Sequence, residues 1–184
     1  MNKVKSKDIL RKEISQIKKK YTPHDLLQRS DEVFSVLEIT GVFNDAKNIF
    51  IYNNLSDEVS TKAFIDKWKD YKNFYVPVVI HDNLVFRSCA GDENCNISNL
   101  GIKEPLGVDF TELSKVDLVI IPGIAFDRKM NRMGRGKGYY DRFLPKLKST
   151  KIGVCFDFQL MNSIPHSDHD IKMDMIISEN ELIW

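Results

Sequence analysis

One stretch of this chain constrains its fold more than any other: an apolar run that leads into a loop rich in glycine and basic residues. The run from Val116 to Ile121 is almost continuously apolar, which is typical of a strand covered on both faces of a sheet. The loop that follows alternates glycines with basic residues: Gly134, Arg135, Gly136, Lys137 and Gly138. A strand of this kind is expected inside a mostly parallel sheet with helices packed on it.

Alternating helical and strand patterns along the chain predict the same class. Helices are predicted from about Lys7 to Lys20 after Ser6, from Thr22-Pro23 to about Leu37 before Gly41, around Phe64–Tyr71, and from Tyr139 to Leu147 with a break at Pro145. Strands are predicted at Asn48–Leu55, Phe74–Ile80, Leu84–Cys89, Ile152–Phe158 and Met173–Ile177, with Pro77 at an edge or bulge and residues 91–114 mostly loop. We expect one α/β domain over residues 1–184, a three-layer α/β/α sandwich around a mixed, mostly parallel sheet of undetermined strand order.

Composition narrows the class of protein. Of the 184 residues, 42% are hydrophobic and 29% are charged, which excludes collagen-like, low-complexity and disordered chains. No run approaches the roughly 18–20 consecutive apolar residues that a membrane span needs. Three cysteines without a CxxC pair favour a reducing compartment. We therefore expect a cytoplasmic protein with no membrane partner.

The net charge of +1 hides a strong segregation of charge. Residues 1–20 carry a net charge of +6 and residues 127–142 a net charge of +4, which leaves −9 on the rest of the chain. An acidic body with two short basic segments favours a local anion site over a broad nucleic-acid surface. A solvated, lysine-rich helix face explains the first segment equally well when that segment is considered alone.

The loop of residues 134–138 has the chemistry of a phosphate cradle. Its glycines allow positive φ and let backbone N–H groups approach an anion, while the arginine and lysine between them supply charge. In open α/β sheets, ligands bind beyond the carboxyl ends of the strands, where this loop is expected. It is neither a P-loop, because Gly138 follows Lys137, nor a dinucleotide fingerprint, because Tyr139 stands where the last glycine would be. A flexible basic surface loop is the alternative interpretation.

The segments IPGIAFD and NRMGRGKGYYDRFL resemble the signature of the 5-formyltetrahydrofolate cyclo-ligase family, also called methenyltetrahydrofolate synthetases. Further matches follow in the family's order and span essentially the whole chain: KDILR at residues 7–11, Glu58 before Ser60-Thr61, IKEP at residues 102–105, and His169-Asp170 with Asp174. The GRGKGYYD core is highly specific, whereas the N-terminal and C-terminal matches alone are weak. One departure stands out: Met130 occupies a turn position where the family often has glycine, so a left-handed conformation there would be strained.

The resemblance implies ATP-dependent cyclisation of 5-formyltetrahydrofolate to 5,10-methenyltetrahydrofolate, with ADP and phosphate released and an iminium phosphate as intermediate. It implies nucleotide binding by Lys7, Arg11, Arg132, Met133, Gly134, Arg135, Gly136, Lys137, Gly138, Tyr139 and Tyr140. It implies folate binding by Asn53, Glu58, Arg135, Gly136, Lys137, Gly138 and Tyr139. Arg135 and Lys137 are the candidate catalytic residues, because cations there would stabilise charge on the transferred phosphoryl group. Glu58 is the expected acceptor for the donor groups of the pterin.

The resemblance also implies Mg²⁺ held by Asp141 and Asp170 beside phosphates and water. From sequence alone, Asp141 is equally a helix cap and Asp170 a loop carboxylate. A zinc site among His166, Asp168, His169 and Asp170 is less favoured, because the spacing fits no standard structural zinc site.

Three functional classes follow from these observations. The first is the cyclo-ligase, the second is a nucleic-acid-binding module that uses the Arg/Gly/Lys/Tyr loop, and the third is a catalytically silent folate or nucleotide carrier. The net charge of −9 outside the basic segments disfavours the second class. We expect a monomer whose partner is 5-formyltetrahydrofolate, with or without a polyglutamate tail, and not nucleic acid.

Overall fold

The fold is built from short helices and strands that alternate along the chain. In a computed structural model of the protein, residues 6–89, 95–97, 103–167 and 169–184 are described. The α-helices are α1 (Lys7–Lys18), α2 (Pro23–Glu38), α3 (Gly41–Asp45), α4 (Lys62–Trp68) and α5 (Tyr139–Phe143). The strands are β1 (Asn48–Ile51), β2 (Asn73–Ile80), β3 (Asn83–Ser88), β4 (Cys95–Ile97), β5 (Lys103–Pro105), β6 (Leu118–Pro122), β7 (Ala125–Asp127), β8 (Arg132–Met133), β9 (Thr150–Val154), β10 (Leu160–Met161), β11 (Met175–Ile177) and β12 (Leu182–Ile183).

A seven-stranded sheet in the order β12-β11-β9-β6-β1-β2-β3 forms the centre of the described structure. The five inner strands are parallel to one another, while β3 and β12 pair antiparallel at the two edges. The chain leaves β1 toward β2 and β3, then returns to β6 on the other side of β1 and continues outward. Strand order therefore reverses between β1 and β6. The predicted mixed, mostly parallel sheet is confirmed, and the strand order that sequence left undetermined is now given.

Buried side chains cover both faces of this sheet. On one face α2, α3 and α4 contribute residues such as Val33, Phe43 and Phe64, which cluster with strand residues of β1, β2, β6 and β9. On the other face Phe143 of α5 packs with Phe50 and with Phe126 of β7, a strand of the smaller sheet β10-β7-β8. The two faces are therefore covered unequally: one carries the sixteen-residue helix α2, and the other carries the five-residue helix α5.

The predicted starts of α1 and α2 are confirmed together with their caps. The Ser6 hydroxyl accepts from the Ile9 amide at 3.4 Å. The Thr22 hydroxyl accepts from the Asp25 amide at 3.1 Å, and the Asp25 carboxylate accepts from the Thr22 amide at 2.9 Å. This reciprocal pair satisfies two amides that helix geometry leaves unpartnered at the N-terminus.

Several elements differ from the sequence prediction. Strand β9 ends at Val154, four residues before the predicted end at Phe158, and α5 ends at Phe143. Gly41 does not simply end a helix, because it is the first residue of α3, which Thr40 caps. The segment predicted as mostly loop contains the antiparallel pair β4–β5, whose residues face each other from Cys95 to Pro105. Strand β1 ends at Ile51, four residues before the predicted end, because Tyr52–Leu55 turns away into the loop that leads to α4.

The hairpin β2–β3 is confirmed, and the pairing of β2 with its neighbours explains the position of Pro77. His81 and Asp82 both have positive φ, as a two-residue turn between twisted strands requires. The pairing of β2 with β1 ends at Tyr75, so among the described strands Pro77 pairs with β3 alone. A proline has no N–H to donate, and here none of these strands requires one on the other side.

A tight turn joins β7 to β8, and Met130 adopts a φ of 67° there, in the left-handed region. The carboxylate of Asp127 holds the turn, since it accepts from the Lys129 amide at 2.9 Å and from the Asn131 amide and side chain at 3.0–3.1 Å. The Ile164 amide donates to the same carboxylate at 3.0 Å. The strain expected at Met130 is therefore present, and the loop nevertheless closes.

Among the residues that the structure describes, no helix is both long enough and apolar enough to cross a membrane.

Candidate active site

A cleft of about 930 Å³ opens where the strand order reverses. Tyr52 and Asn53 follow the carboxyl end of β1, and Pro122 and Gly123 stand at the carboxyl end of β6, so both strand ends open into it. This is the position at which open α/β sheets bind ligands. The residues that the family resemblance assigns to nucleotide, folate or magnesium all line this cleft: Lys7, Arg11, Asn53, Glu58, Arg132, Met133, Gly134, Arg135, Gly136, Lys137, Gly138, Tyr139, Tyr140, Asp141 and Asp170.

The glycine-rich loop needs its glycines for two separate reasons. Gly136 and Gly138 have φ of 98° and 67°, which side-chain-bearing residues adopt only with strain. Gly134 has an ordinary conformation, but a Cβ at that position would lie 2.8 Å from Nη1 of Arg132. The loop is tied to α1 because Nε and Nη2 of Arg11 donate to the carbonyl oxygen of Gly134 at 3.2 and 3.1 Å. The two basic segments of the sequence therefore meet at one site.

Arg132 carries a buried guanidinium at the base of the cleft. Its side chain is only 4% exposed, and Nη2 donates to Oδ1 of Asp141 at 2.8 Å. The guanidinium lies over the ring of Tyr140, 5.4 Å from the ring centre. Its Nε is buried and has no hydrogen-bond partner among the described residues.

Arg135 spans the cleft toward two consecutive carboxylates. Its Nε donates to Oε1 of Glu58 at 3.0 Å, and its Nη2 donates to Oδ1 of Asp57 at 2.7 Å. The other oxygen of Glu58 accepts from the Leu55 amide at 3.0 Å. Burial alone would lower the pKa of the Arg135 guanidinium, but Glu58 and Asp57 outweigh it and raise that pKa. The residue predicted to meet phosphate and the residue predicted to meet pterin are thus in direct contact.

Lys7 and Asp170 form a further ion pair in the cleft, with Nζ and Oδ2 2.6 Å apart. The Ser167 amide donates to the same carboxylate oxygen at 2.8 Å. Burial raises the pKa of Asp170, but these two donors outweigh it and lower the pKa overall. In the described part of the chain no group of three or more His, Cys, Asp or Glu side chains is arranged to hold a metal ion, and Asp168 lies outside that part.

Lys137 differs from the other cleft cations. Lys7, Arg132 and Arg135 each bind a carboxylate, and Arg11 binds both Asp8 and the loop backbone. Within the described residues the ammonium of Lys137 has no hydrogen bond or ion pair, and its side chain is exposed. It is therefore the cation most readily available to an incoming anion.

The tyrosine pair after the loop divides into two environments. The ring of Tyr139 is covered by the guanidinium of Arg142, 5.4 Å from the ring centre, and Arg142 also donates to the carbonyl oxygen of Lys137 at 3.0 Å. Tyr140 packs under Arg132, and burial raises the pKa of its hydroxyl, with a further increase from Glu58 and a partial offset from Arg132. Its hydroxyl is therefore protonated throughout the ordinary pH range.

Sequence reasoning missed the apolar wall of the cleft and assigned no role to two of its polar residues, one of which, Glu104, lies in the quoted IKEP match. Pro77, Val79 and Leu84 of the hairpin line one side, with Ile97 beside them. Tyr52 and Glu104 also line the cleft, and burial raises the pKa of the Glu104 carboxyl. Alternation along the hairpin could have signalled one inward face, but not that this face borders a ligand cleft. Ile102, part of the quoted IKEP segment, lies outside the described residues.

Comparison with known proteins agrees with this geometry. A family model described as the 5-formyltetrahydrofolate cyclo-ligase family matches residues 3–179. The chain belongs to this family. The resemblance stated from the GRGKGYYD core is thereby confirmed.

Individual cyclo-ligases show how far the similarity extends. The chain is 31% identical to a probable 5-formyltetrahydrofolate cyclo-ligase of Schizosaccharomyces pombe, over 74% of this chain and 77% of the relative. It is 34% identical to the cyclo-ligase of Haemophilus influenzae, over 70% of this chain and 73% of the relative. The solved structure of Aquifex aeolicus 5,10-methenyltetrahydrofolate synthetase superimposes with a TM-score of 0.86 at 27% identity, covering 96% of this chain and 91% of that one. This match also confirms the α/β fold class.

Proposed function

We propose that this chain catalyses the ATP-dependent cyclisation of 5-formyltetrahydrofolate to 5,10-methenyltetrahydrofolate, as a single cyclo-ligase-like domain over residues 1–184. The observation that carries the proposal is the contact of Arg135 with Glu58 inside one cleft. This contact joins the loop of residues 134–138, which can bind phosphate, to the Glu58 carboxylate, which can accept from the donor groups of a pterin. Family membership supports the same reaction. No observation favours the nucleic-acid alternative, and the intact loop offers no reason for a silent carrier.

The reaction needs an activated oxygen, because a formamide oxygen is a poor leaving group. That oxygen attacks the γ-phosphorus of ATP, an O–P bond forms, and the bond to ADP breaks. N10 of the folate then attacks the formyl carbon of the resulting iminium phosphate. The C–O bond breaks, phosphate leaves with the electron pair, and the proton of N10 is released. Positioning and charge neutralisation are therefore the main tasks of the protein.

The chain supplies those functions from two sides of the cleft. We assign the triphosphate to Lys7, Arg11 and the loop of residues 132–140, all of which line the cleft. Lys137 and Arg135 stabilise the charge of the transferred phosphoryl group, Lys137 because its ammonium is unengaged and Arg135 because it reaches the folate side. Electrostatic stabilisation of this kind is commonly the largest contribution to catalysis.

We assign the folate to the side of the cleft formed by Glu58, Asn53 and the hairpin. Each carboxylate oxygen of Glu58 already accepts one hydrogen bond, from Arg135 or from the Leu55 amide, and each retains a lone pair for a pterin donor. Tyr139 and the backbone of residues 135–139 close the other side. The apolar residues Pro77, Val79 and Leu84 provide a surface for an aromatic ring.

Asp141 and Asp170 fit the magnesium ion that accompanies ATP. Both line the cleft. Oδ2 of Asp141 accepts no hydrogen bond from the described residues, and Asp170 accepts from Lys7 and from the Ser167 amide through Oδ2. Magnesium usually takes one or two carboxylates beside phosphates and water. When bound, the ion would supply positive charge to the phosphate oxygens.

The test is near-ultraviolet absorbance after the protein is mixed with 5-formyltetrahydrofolate and MgATP, with ATP omitted as control. Growth of the methenyl chromophore only with ATP establishes the reaction, the substrate and the nucleotide together. Folded protein that binds ATP yet produces no chromophore would refute the proposed activity.

We also propose that the protein is a cytoplasmic monomer that accepts polyglutamylated substrate. The cysteine content supports the location. Sedimentation equilibrium tests the monomeric state. Comparing the rates with mono- and polyglutamylated 5-formyltetrahydrofolate tests whether the enzyme accepts a polyglutamate tail.

A further inference from the structure

A buried lysine lies directly behind the cleft. The side chain of Lys18, near the end of α1, is only 4% exposed, and it is not among the residues that line the cleft. Its ammonium donates to the backbone oxygen of Asp57 and lies 3.1 Å from Oδ2 of the same residue. Burying an ammonium costs free energy that an apolar side chain would not. The charge at this position therefore calls for an explanation other than packing.

The contacts of Asp57 lead from this lysine to the cleft. Its Oδ2 accepts from Lys18, and its Oδ1 accepts from Nη2 of Arg135 at 2.7 Å. Burial would raise the pKa of Asp57, but Lys18 and Arg135 outweigh burial and lower it, so the carboxylate is charged at neutral pH. Because one oxygen is fixed by Lys18, the other is presented to Arg135 in a defined direction.

The carboxylates of Glu58 and Asp57 together hold one edge of the Arg135 guanidinium and leave the other edge free. Nε and Nη2 are engaged by Glu58 and Asp57. Nη1 has no hydrogen-bond acceptor among the described residues. A guanidinium is planar, so two fixed nitrogens determine where the third one points. The result is an arginine whose free N–H groups are aimed before any ligand arrives.

We infer that Lys18 is a positioning residue, which acts through Asp57 to orient Arg135 across the cleft. The inference rests on the proposed function, since Arg135 is assigned there to the transferred phosphoryl group. Helix geometry supports it: Lys7, Arg11 and Lys18 are spaced by four and seven residues and share one face of α1. Two of them line the cleft, and the third supports it from behind.

A purely structural role would make a different prediction. Lys18 would then only fasten α1 to the turn of residues 55–58, and its loss would lower stability without involving Arg135. A positioning role requires that the effect of Lys18 on turnover disappear once Arg135 is absent, because coupled residues are not additive.

The first experiment compares Lys18→Met with Lys20→Met, which removes the same charge from an exposed position two residues away. We expect Lys18→Met to lower kcat by about 10- to 100-fold, the range for a misplaced catalytic group, with the KM for MgATP changed less than about threefold. Lys18→Arg, which keeps the charge, should recover part of kcat. Lys20→Met should match the wild type. Wild-type kcat in Lys18→Met would overturn the inference.

The second experiment is a double-mutant cycle. Arg135→Ala and Lys18→Met/Arg135→Ala should have the same residual turnover within about twofold. If Lys18→Met lowers turnover by the same factor with and without Arg135, the lysine acts independently and the inference is wrong. Should Lys18→Met fail to fold, Asp57→Asn replaces it, because it keeps the side-chain shape and weakens both contacts.

A spectroscopic measurement separates this inference from the proposed function. The ¹⁵N–¹H signal of Nε in Arg135, assigned by its loss in Arg135→Ala, should shift or broaden in Lys18→Met and stay in place in Lys20→Met. This holds even if the wild type produces no methenyl product, which would refute only the activity. An unchanged Nε signal in folded Lys18→Met would overturn the positioning role.

Discussion

Met130 allows a prediction about stability whose size follows from the backbone. Its φ of 67° places a side-chain-bearing residue in the left-handed region, and the carboxylate of Asp127 holds the turn in that conformation. The side chain of Met130 is partly buried against the core on the α5 side. Replacing it by glycine alone would mix the relief of strain with the loss of packing. The informative comparison is therefore Met130→Gly against Met130→Ala, because both variants lose the packing and differ only by a Cβ.

The expected difference is the strain that the Cβ causes, reduced by the freedom of glycine in the unfolded chain. Left-handed helical geometry costs an L-residue about 1–2 kcal/mol. The greater unfolded-state entropy of glycine offsets about 0.4–1 kcal/mol of this. Met130→Gly should thus be more stable than Met130→Ala by about 1 kcal/mol, which is about 2–4 °C in Tm for a chain of this length.

Urea unfolding followed by circular dichroism measures this difference, with chromophore formation as a second readout. Met130 does not line the cleft, so both variants should keep kcat close to wild type. An alanine variant as stable as the glycine variant, or more stable, would show that the turn relaxes to a negative φ at no cost. The strain argument would then be wrong.

Three further predictions concern the cleft and its surroundings. Lys137→Ala should lower kcat by about 100- to 1,000-fold and leave the urea midpoint of unfolding unchanged. Lys129→Ala, in the same basic segment but outside the cleft, should keep kcat near wild type. Equal rates for the two variants would contradict the role assigned to Lys137. Asp141→Asn should raise the magnesium concentration needed for half-maximal rate by about 10- to 100-fold, and an unchanged magnesium titration would exclude Asp141 as a ligand. Burial opposes ionisation of Asp127, but hydrogen bonds from Asn131 and three amides lower the pKa of this carboxyl overall. The charged carboxylate therefore stabilises the fold above the unfolded pKa of about 3.9. This stabilisation is lost as pH falls through the lower folded pKa. The urea midpoint of Asp127→Asn should therefore trail wild type most at pH 7 and approach it below about pH 4; a gap independent of pH would contradict the assignment.

Local sequence patterns predicted those elements whose cause is local. The starts of α1 and α2 follow from Ser6 and from Thr22-Pro23, because a cap acts within one helical turn. The hairpin follows from the apolar runs on either side of its turn. Gly41 shows the limit of this reasoning: a glycine after a helix predicts an end, but Thr40 is placed to cap a new helix at the same point.

The candidate site was predictable where a family motif reaches it and not elsewhere. The loop of residues 134–138 carries its chemistry in consecutive residues, so sequence alone locates it. Asp57 and Lys18 are thirty-nine positions apart and gain their roles only because α1 packs beside the loop after β1. Val79 and Leu84 enter the cleft through the register of β2 with β3. Contacts of this kind depend on tertiary packing, which no local pattern encodes.

The pairing of charges in the cleft determines how ligands reach it. Among the described lining residues, five are basic and four are acidic, so these side chains nearly cancel in charge and attract anions only weakly at long range. Encounter with nucleotide should accordingly depend only weakly on ionic strength, unlike electrostatically steered association. Apart from the unengaged ammonium of Lys137, the basic side chains that line the described cleft already bind carboxylates. A simple anion that needs a second cation must therefore take it from a carboxylate and leave that carboxylate unpaired. The cleft is satisfied when its ligands bind together. Phosphate groups then pair with the cations, while a metal ion and ring N–H groups pair with the carboxylates that those cations leave.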